Sequence, residues 1–179
     1  IWENLITSKL YLTGGIGAAG GHEGFGKPYE LPNMQAYNQT WASVGMDYWN
    51  HRLFLLHGDA KYIDIMQRTL FNGLISGVSL DGKTFFYPNP LESNGQHERS
   101  PWFGVACCPG NITRFLATVP GYVYAHKGDA IYVNLFAAGT ADIETTAGKK
   151  VKLVQDTRYP WDGTVRIMVT PDRTRQFAI

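Results

Sequence analysis

What is scarce in this sequence narrows its class before any motif is read. Cysteine is nearly absent: the two among 179 residues stand side by side as Cys107-Cys108. One adjacent pair is no disulfide framework, which favours a reducing compartment and so the cytoplasm over the periplasm. An excess of charge is missing too, with 16 Lys and Arg against 15 Asp and Glu and a formal net charge of +1. With no basic run either, the electrostatic footprint of nucleic-acid binding is lacking, and nucleic acid is not an expected partner. Long apolar runs are absent. Stretches such as Leu53 to Leu56 fall far below the roughly 18 residues that span a bilayer, and no signal-peptide pattern opens the chain, so no membrane partner is expected. The chain begins at Ile1 without Met and closes at Ile179 inside strand-like sequence, so both ends read as cuts through a longer protein. Oligomeric state is not legible in it.

What is present is an ordinary globular composition, 44% apolar and 17% charged, enough for one core. Aromatics at 13%, including five Trp and ten Tyr, suit a sugar-stacking cleft and equally a large core. The most unusual stretch is Trp102-Phe103-Gly104-Val105-Ala106-Cys107-Cys108-Pro109-Gly110-Asn111. Pro109 suits the first position of a helix, and Ile112, Phe115, Leu116 and Val119 follow at helical spacing, so the thiols are expected at a helix N-terminus. Free N–H groups and the helix dipole lower a thiol's pKa there, making these cysteines candidate nucleophiles or metal ligands. The plainer alternatives are two small buried hydrophobes or a strained vicinal disulfide.

Taken in order, Ile1 to Leu12 reads as the end of a helix followed by a short extended piece. The stretch from Thr13 to Gly26 holds seven glycines but lacks the Lys-Ser/Thr and the strand-to-helix frame of a phosphate loop. Its one carboxylate, Glu23, is a candidate acid/base presented by a loop that brings backbone close to a ligand, or simply a solvated loop side chain. A helix is expected from about Asn33 or Thr40 to Leu56, ending at Gly58, and a second, capped by Asp59, from Ala60 to about Ile75. Val78 to Leu80 and Thr84 to Tyr87, joined at Asp81-Gly82, have the form of a small hairpin. His97 lies in a loop running to Pro101. From about residue 126 the period becomes two, at Ile131, Val133 and Leu135, at Val151 and Leu153, and at Val165, Ile167 and Val169, which reads as an antiparallel sandwich. The fold class is therefore α+β, divided near residue 126 into 1–125 and 126–179.

The chain as a whole resembles glycoside hydrolase family 127, the bacterial β-L-arabinofuranosidase-like enzymes. The likeness runs through Tyr11-Leu12-Thr13-Gly14-Gly15-Ile16-Gly17, Glu23-Gly24-Phe25-Gly26, Tyr29-Glu30-Leu31-Pro32-Asn33, Gly58-Asp59-Ala60-Lys61-Tyr62, Arg68-Thr69-Leu70-Phe71-Asn72-Gly73, Gly77-Val78-Ser79-Leu80-Asp81-Gly82-Lys83, Asn89-Pro90-Leu91-Glu92-Ser93 and Ala106-Cys107-Cys108-Pro109. It implies an (α/α)6 barrel followed by β-sandwich domains, with 1–125 the last barrel helices and 126–179 the first sandwich strands. It also implies a retaining glycosidase acting on non-reducing-end sugars of plant-derived glycans, with Cys107 matching the nucleophile and Glu23 the acid/base. Thr40 and Tyr87 fall where the family contacts substrate, and Tyr87 is suited to hydrogen-bond the thiol or a sugar hydroxyl; their plainer role is packing.

The departure is at the metal. The family holds zinc with a glutamate, a cysteine two residues later and the adjacent cysteine pair, but the first two positions here are Gln39 and Trp41. Cys107 and Cys108 would leave zinc short of its usual three or four protein ligands, since a Gln carbonyl is a weak neutral donor and Trp offers none. Gln39-Thr40-Trp41 is expected just before the helix, with Thr40 as a possible cap. Three readings stand: a glycosidase working through Glu23 and Cys107 with altered or absent zinc, a carbohydrate-binding relative that has lost catalysis with its zinc site, and a structural piece whose glycine loop and thiols only pack.

Overall fold

The computed structural model describes residues 1–145, 148–174, 176 and 178–179. They form two compact units, Ile1–Ala117 and Thr118–Ile179, the first helical and the second an antiparallel β structure.

The first unit is built on α1 (Trp2–Ser8), α2 (Thr40–His57), α3 (Ala60–Thr69) and α4 (Cys107–Leu116). α2 ends where Gly58 takes a left-handed φ of 69° and returns its N–H to Phe54 O, a conformation that suits glycine. Asp59 then caps α3 by accepting from Lys61 N at 3.1 Å. Between them α2 and α3 bury Val44, Met46, Phe54, Tyr62, Ile63, Ile65 and Met66. Leu5, Met46 and Ile65 form one cluster, against which Trp2, Ile6, Leu10, Ile16 and Trp49 pack.

α3 does not run unbroken to Ile75. It widens into a π turn over Leu70–Leu74 and a 3-10 turn over Ile75–Gly77. The cause lies in the glycine-rich loop, which presses on this point. Thr69 Oγ1 donates to Gly14 O at 3.0 Å as well as to Ile65 O at 2.9 Å. A Cβ on Gly73 would lie 3.0 Å from Ser43 Oγ and 3.2 Å from both Gly15 N and Thr13 O.

The expected hairpin at 78–87 is reduced to a single bridge between Val78 and Phe85, turned at Gly82 with φ 71°. Phe85 pairs also with Ser100. The segment from Phe86 to Asn89 lies along the approach to α2: Thr40 N donates to Tyr87 O at 3.1 Å, Asn89 N to Tyr37 O at 3.1 Å, and Thr40 Oγ1 to Phe86 O at 3.0 Å.

The second unit has a hairpin of β1 (Tyr124–Lys127) and β2 (Ala130–Val133) and a three-stranded sheet ordered β3 (Gly139–Glu144), β4 (Lys150–Thr157), β5 (Val165–Pro171). In the register of β4 with β5, Leu153 faces Val169 and Gln155 faces Ile167. Ile131, Val151 and Leu153 form the core, with Tyr124, Ile143, Ile167 and Val169 against it. Gln155 continues the buried face of β4, its amide nitrogen donating to Tyr124 Oη at 2.9 Å and Leu135 O at 3.1 Å, while its Oε1 has no partner among the described residues. Trp161-Asp162-Gly163-Thr164 falls in the turn between β4 and β5. The last third is β, as its period of two predicts. β3 escapes that reading because in Gly-Thr-Ala-Asp-Ile-Glu only Ala141 and Ile143 turn inward.

Candidate active site

Three short pieces of backbone bring the expected site residues together. The first is the glycine loop, pinched by paired backbone hydrogen bonds of 3.1 Å between Ala19 and Gly24. At its tip, after a 3-10 turn over Gly20–His22, Glu23 sits in the left-handed region with φ 50°. That conformation is uncommon for a residue with a side chain, and here it presents an exposed carboxylate.

The second piece is the entry to α2. Thr40 is the first residue of the helix and Gln39 the position before it, with no side-chain cap. The expectation that Gln39-Thr40-Trp41 precedes the helix with Thr40 as its cap is therefore corrected: Thr40 and Trp41 already lie inside it, and the Thr40 hydroxyl donates to Phe86 O.

The third is α4. It begins at Cys107, so Pro109 is its third residue and not its first. Both thiols are free, Cys107 half-buried and Cys108 buried. Burial pushes the Cys108 thiol up to about 12 and outweighs the backbone N–H groups of Trp41 and Thr40, which pull the other way. For Cys108 the expected lowering at a helix N-terminus is thus overturned by desolvation.

Tyr87 links the pieces. Cys107 Sγ donates to the Tyr87 hydroxyl at 2.8 Å, and that hydroxyl reaches Glu23 Oε1 at 3.5 Å. Tyr37 donates to the same Oε1 at 2.8 Å. The Tyr87 ring lies 6.1 Å from that of Tyr37 and meets Phe103 edge-on at 5.5 Å. The hydrogen bond with Cys107, with burial second, holds the Tyr87 hydroxyl well above its ordinary range. Burial and the bond to Glu23 push Tyr37 up to about 12. Both phenols therefore stay protonated across the pH range in which enzymes work and remain donors. The arrangement sets a thiol and a carboxylate on either side of one hydroxyl, chemistry suited to a nucleophile and a proton-transfer group acting on one bond.

Sequence reasoning passed over Tyr37. Its only signal was an aromatic side chain in a loop-like stretch just ahead of Gln39. His97 is drawn into packing, stacked on Phe86 at 4.7 Å with its Nε2 2.9 Å from Pro88 O.

The fit to zinc is decided by the donors. Gln39 Oε1 lies 3.9 Å from Cys107 Sγ and 3.8 Å from Cys108 Sγ, so two thiols and one neutral amide oxygen face each other while Trp41 offers no donor. Among the described residues no group of three His, Cys, Asp or Glu side chains is placed to hold a metal. A carbonyl in place of a carboxylate at Gln39 and no donor at Trp41 leave the two thiols short of the anionic set zinc prefers. The residues present do not fit that ion.

Residues 1–121 match the family described as "Beta-L-arabinofuranosidase, GH127 catalytic domain", and residues 130–179 match its middle domain. The non-reducing end beta-L-arabinofuranosidase of Bifidobacterium longum subsp. longum is 37% identical over 182 aligned positions, covering 94% of this chain. The chain spans only 27% of that relative's length. A GH127 beta-arabinofuranosidase of known structure is 58% identical over 95% of this chain and 27% of its own, with a TM-score of 0.93. A GH127 beta-L-arabinofuranosidase from Geobacillus stearothermophilus T6 is 42% identical over 96% of this chain and 29% of its own, with a TM-score of 0.90. On the match of residues 1–121 to its catalytic domain, the chain belongs to glycoside hydrolase family 127, the β-L-arabinofuranosidase family.

Proposed function

We propose that this chain carries the nucleophile and the acid/base of a retaining glycoside hydrolase, one that removes β-L-arabinofuranoside-like sugars from the non-reducing ends of plant-derived glycans. The observation that carries the reading is the placement of Cys107 and Glu23 on one hydroxyl, at 2.8 and 3.5 Å from Tyr87, within the part of the chain that matches the catalytic domain. In the first step Glu23, protonated, gives its proton to the glycosidic oxygen as the bond from that oxygen to the anomeric carbon breaks. Cys107, its thiol proton released to solvent beforehand, attacks as the thiolate and forms a carbon–sulfur bond to the same carbon from the opposite face. In the second step the Glu23 carboxylate takes a proton from water, the water oxygen attacks the anomeric carbon, and the carbon–sulfur bond breaks to return the thiolate. Two inversions leave the configuration retained.

Tyr87 is assigned to the substrate through its hydroxyl, whereas Thr40, fully buried with its hydroxyl donated to Phe86 O, is corrected from a substrate contact to a residue that holds the Phe86–Tyr87 backbone. No step is routed through zinc, since the donor set does not fit it. The fold that accompanies this reading is the last helices of an (α/α)6 barrel followed by the first strands of a β-sandwich, supported by the helical and antiparallel units and by the two structural likenesses.

The replacements at Gln39 and Trp41 favour a second reading, a sugar-binding relative that no longer catalyses. Turnover of an aryl β-L-arabinofuranoside by the intact protein separates the two. On the catalytic reading Cys107→Ser and Glu23→Gln each lower turnover by at least roughly 100-fold, the scale of a general acid/base group, and the first sugar released has the β configuration. Near-normal rates in both variants would overturn the assignment, and binding without turnover by the unmutated protein would favour the second reading.

A further inference from the structure

Glu23 carries the proton in the proposed reaction, yet a carboxyl group has two oxygens, and the structure treats them differently. Both hydroxyls that reach the side chain go to Oε1, from Tyr37 at 2.8 Å and from Tyr87 at 3.5 Å. No hydrogen bond among the described residues reaches Oε2. The 2.8 Å bond is the shorter by a wide margin, and it comes from a side chain held on several sides.

Tyr37 N donates to Ala18 O at 3.3 Å, and Tyr37 O accepts from Asn89 N at 3.1 Å. The next residue, Asn38, has a φ of 41° and gives its N–H to Gly17 O at 2.6 Å. The Tyr37 ring lies against the backbone of Gly20 so closely that a Cβ there would be 3.1 Å from Cδ2 and 3.5 Å from Cγ. The residue that holds Glu23 is thus stitched to the loop that presents Glu23. A carboxyl oxygen that accepts a strong hydrogen bond is the poorer proton acceptor of the two, because its lone pairs are already engaged.

We propose that Tyr37 is a positioning residue of this site: by occupying Oε1 of Glu23 it fixes Oε2 as the oxygen that delivers the proton to the departing group and later takes one from water. The proposal rests on the assignment of Glu23 as acid/base and names the residue that aims it. It also gives the exposed Glu23 carboxyl group a partner that sets its torsion. With a phenol held near 12, Tyr37 stays a donor through both steps.

The test uses kcat/KM, which reports the step in which the leaving group departs, on two substrates of the intact protein. Departure of dinitrophenol from dinitrophenyl β-L-arabinofuranoside needs no proton, whereas departure of methanol from methyl β-L-arabinofuranoside does. Tyr37→Phe keeps the ring and removes the hydroxyl. Expected is a loss of about 10- to 100-fold on the methyl glycoside, a part of what an acid/base group contributes, with less than about a threefold change on the dinitrophenyl glycoside. A general disturbance of the site would lower both alike, and equal loss on the two substrates, or none on either, overturns the proposal.

Glu23→Gln run beside it separates the two assignments. Selective loss in Glu23→Gln without selective loss in Tyr37→Phe refutes the positioning role alone, whereas no selective loss in Glu23→Gln refutes the acid/base reading on which it rests. If Tyr37→Phe does not fold, Gly20→Ala takes its place, since the added methyl group presses the ring from 3.1 Å and leaves the hydroxyl. It should show the same selectivity at smaller amplitude, and its absence refutes the proposal equally.

Discussion

Adding one methyl group at Gly77 should damage the site from a position that touches no substrate. An alanine Cβ at this position would lie 2.3 Å from Thr40 Cγ2, 2.6 Å from Thr40 Oγ1 and 3.0 Å from Thr40 Cβ. Thr40 has nowhere to go: it is fully buried, its hydroxyl donates to Phe86 O at 3.0 Å, and its N–H donates to Tyr87 O at 3.1 Å. The backbone of Gly77 is tied as well, with its carbonyl accepting from Phe86 N at 2.9 Å. Overpacking of this kind costs about 1–3 kcal/mol, and weakening the Thr40–Phe86 hydrogen bond adds about 0.5–1.5 kcal/mol. Gly77→Ala should therefore destabilise by about 2–4 kcal/mol. Because the strain falls on the backbone that places Tyr87, kcat/KM should drop by about 10- to 100-fold even where the variant is fully folded. Urea denaturation gives the first quantity and steady-state kinetics the second. Thr40→Ala removes the two closest atoms, so in that background Gly77→Ala should cost less than about 1 kcal/mol, a coupling of about 1–3 kcal/mol. A Gly77→Ala variant as stable and active as the parent, or an undiminished cost in the Thr40→Ala background, would refute the contact.

Two further outcomes follow from other parts of the helical unit. Asp47 on α2 is fully buried with both carboxylate oxygens unpartnered among the described residues, and burial holds its carboxyl well above the ordinary carboxylate range. Between its ordinary value near 4 and the raised folded value, the native state keeps a proton that the unfolded chain has released, so stability falls as pH rises through that window. Asp47→Asn should raise the unfolding free energy by about 1 kcal/mol or more at pH 7 and have little effect near pH 4; an equal effect at both pH values contradicts this. At the thiols, the intact protein should purify with well under one zinc per chain and keep its activity under chelation, whereas Gln39→Glu with Trp41→Cys should gain zinc on elemental analysis. Stoichiometric zinc in the unmutated protein, with activity lost on chelation and restored by the metal, would overturn the account of the donor set.

Much of this was legible in the residues because local chemistry decided it. Gly58-Asp59 stops one helix and caps the next through bonds made within a few residues, and the alternation of Val151 and Leu153 is the pleat of β4 itself. The failures came where distant backbone intervened. The π turn after Thr69 answers to the glycine loop through Gly14 and Gly73, and no periodicity within α3 could signal it. Thr40 is a good cap by type, yet α2 begins one residue earlier than that, with Gln39 at the cap position and Thr40 N tied to the distant Tyr87 O. For the Cys108 thiol the helix N-terminus argued one direction and burial, invisible in sequence, the other. Tyr37 was missed for the same reason: its role depends on a fold that lays it between Gly20 and Glu23, and a lone tyrosine in a polar stretch has no spacing to betray that.

The most direct test of the central claim, a cysteine nucleophile served by a glutamate acid/base, is to catch the bond between Cys107 and the sugar. In Glu23→Gln the departure of an activated aryl group still proceeds while the base that should activate water is gone. With dinitrophenyl β-L-arabinofuranoside the covalent species should therefore accumulate in the intact protein. Peptide mass spectrometry after rapid acid quenching should find one glycosyl unit on Cys107, preceded by a burst of dinitrophenol matching the enzyme concentration, with neither signal when Cys107→Ser is added. A burst whose label sits on Cys108 or on a carboxylate, or turnover with no covalent species and an inverted product, would contradict the account.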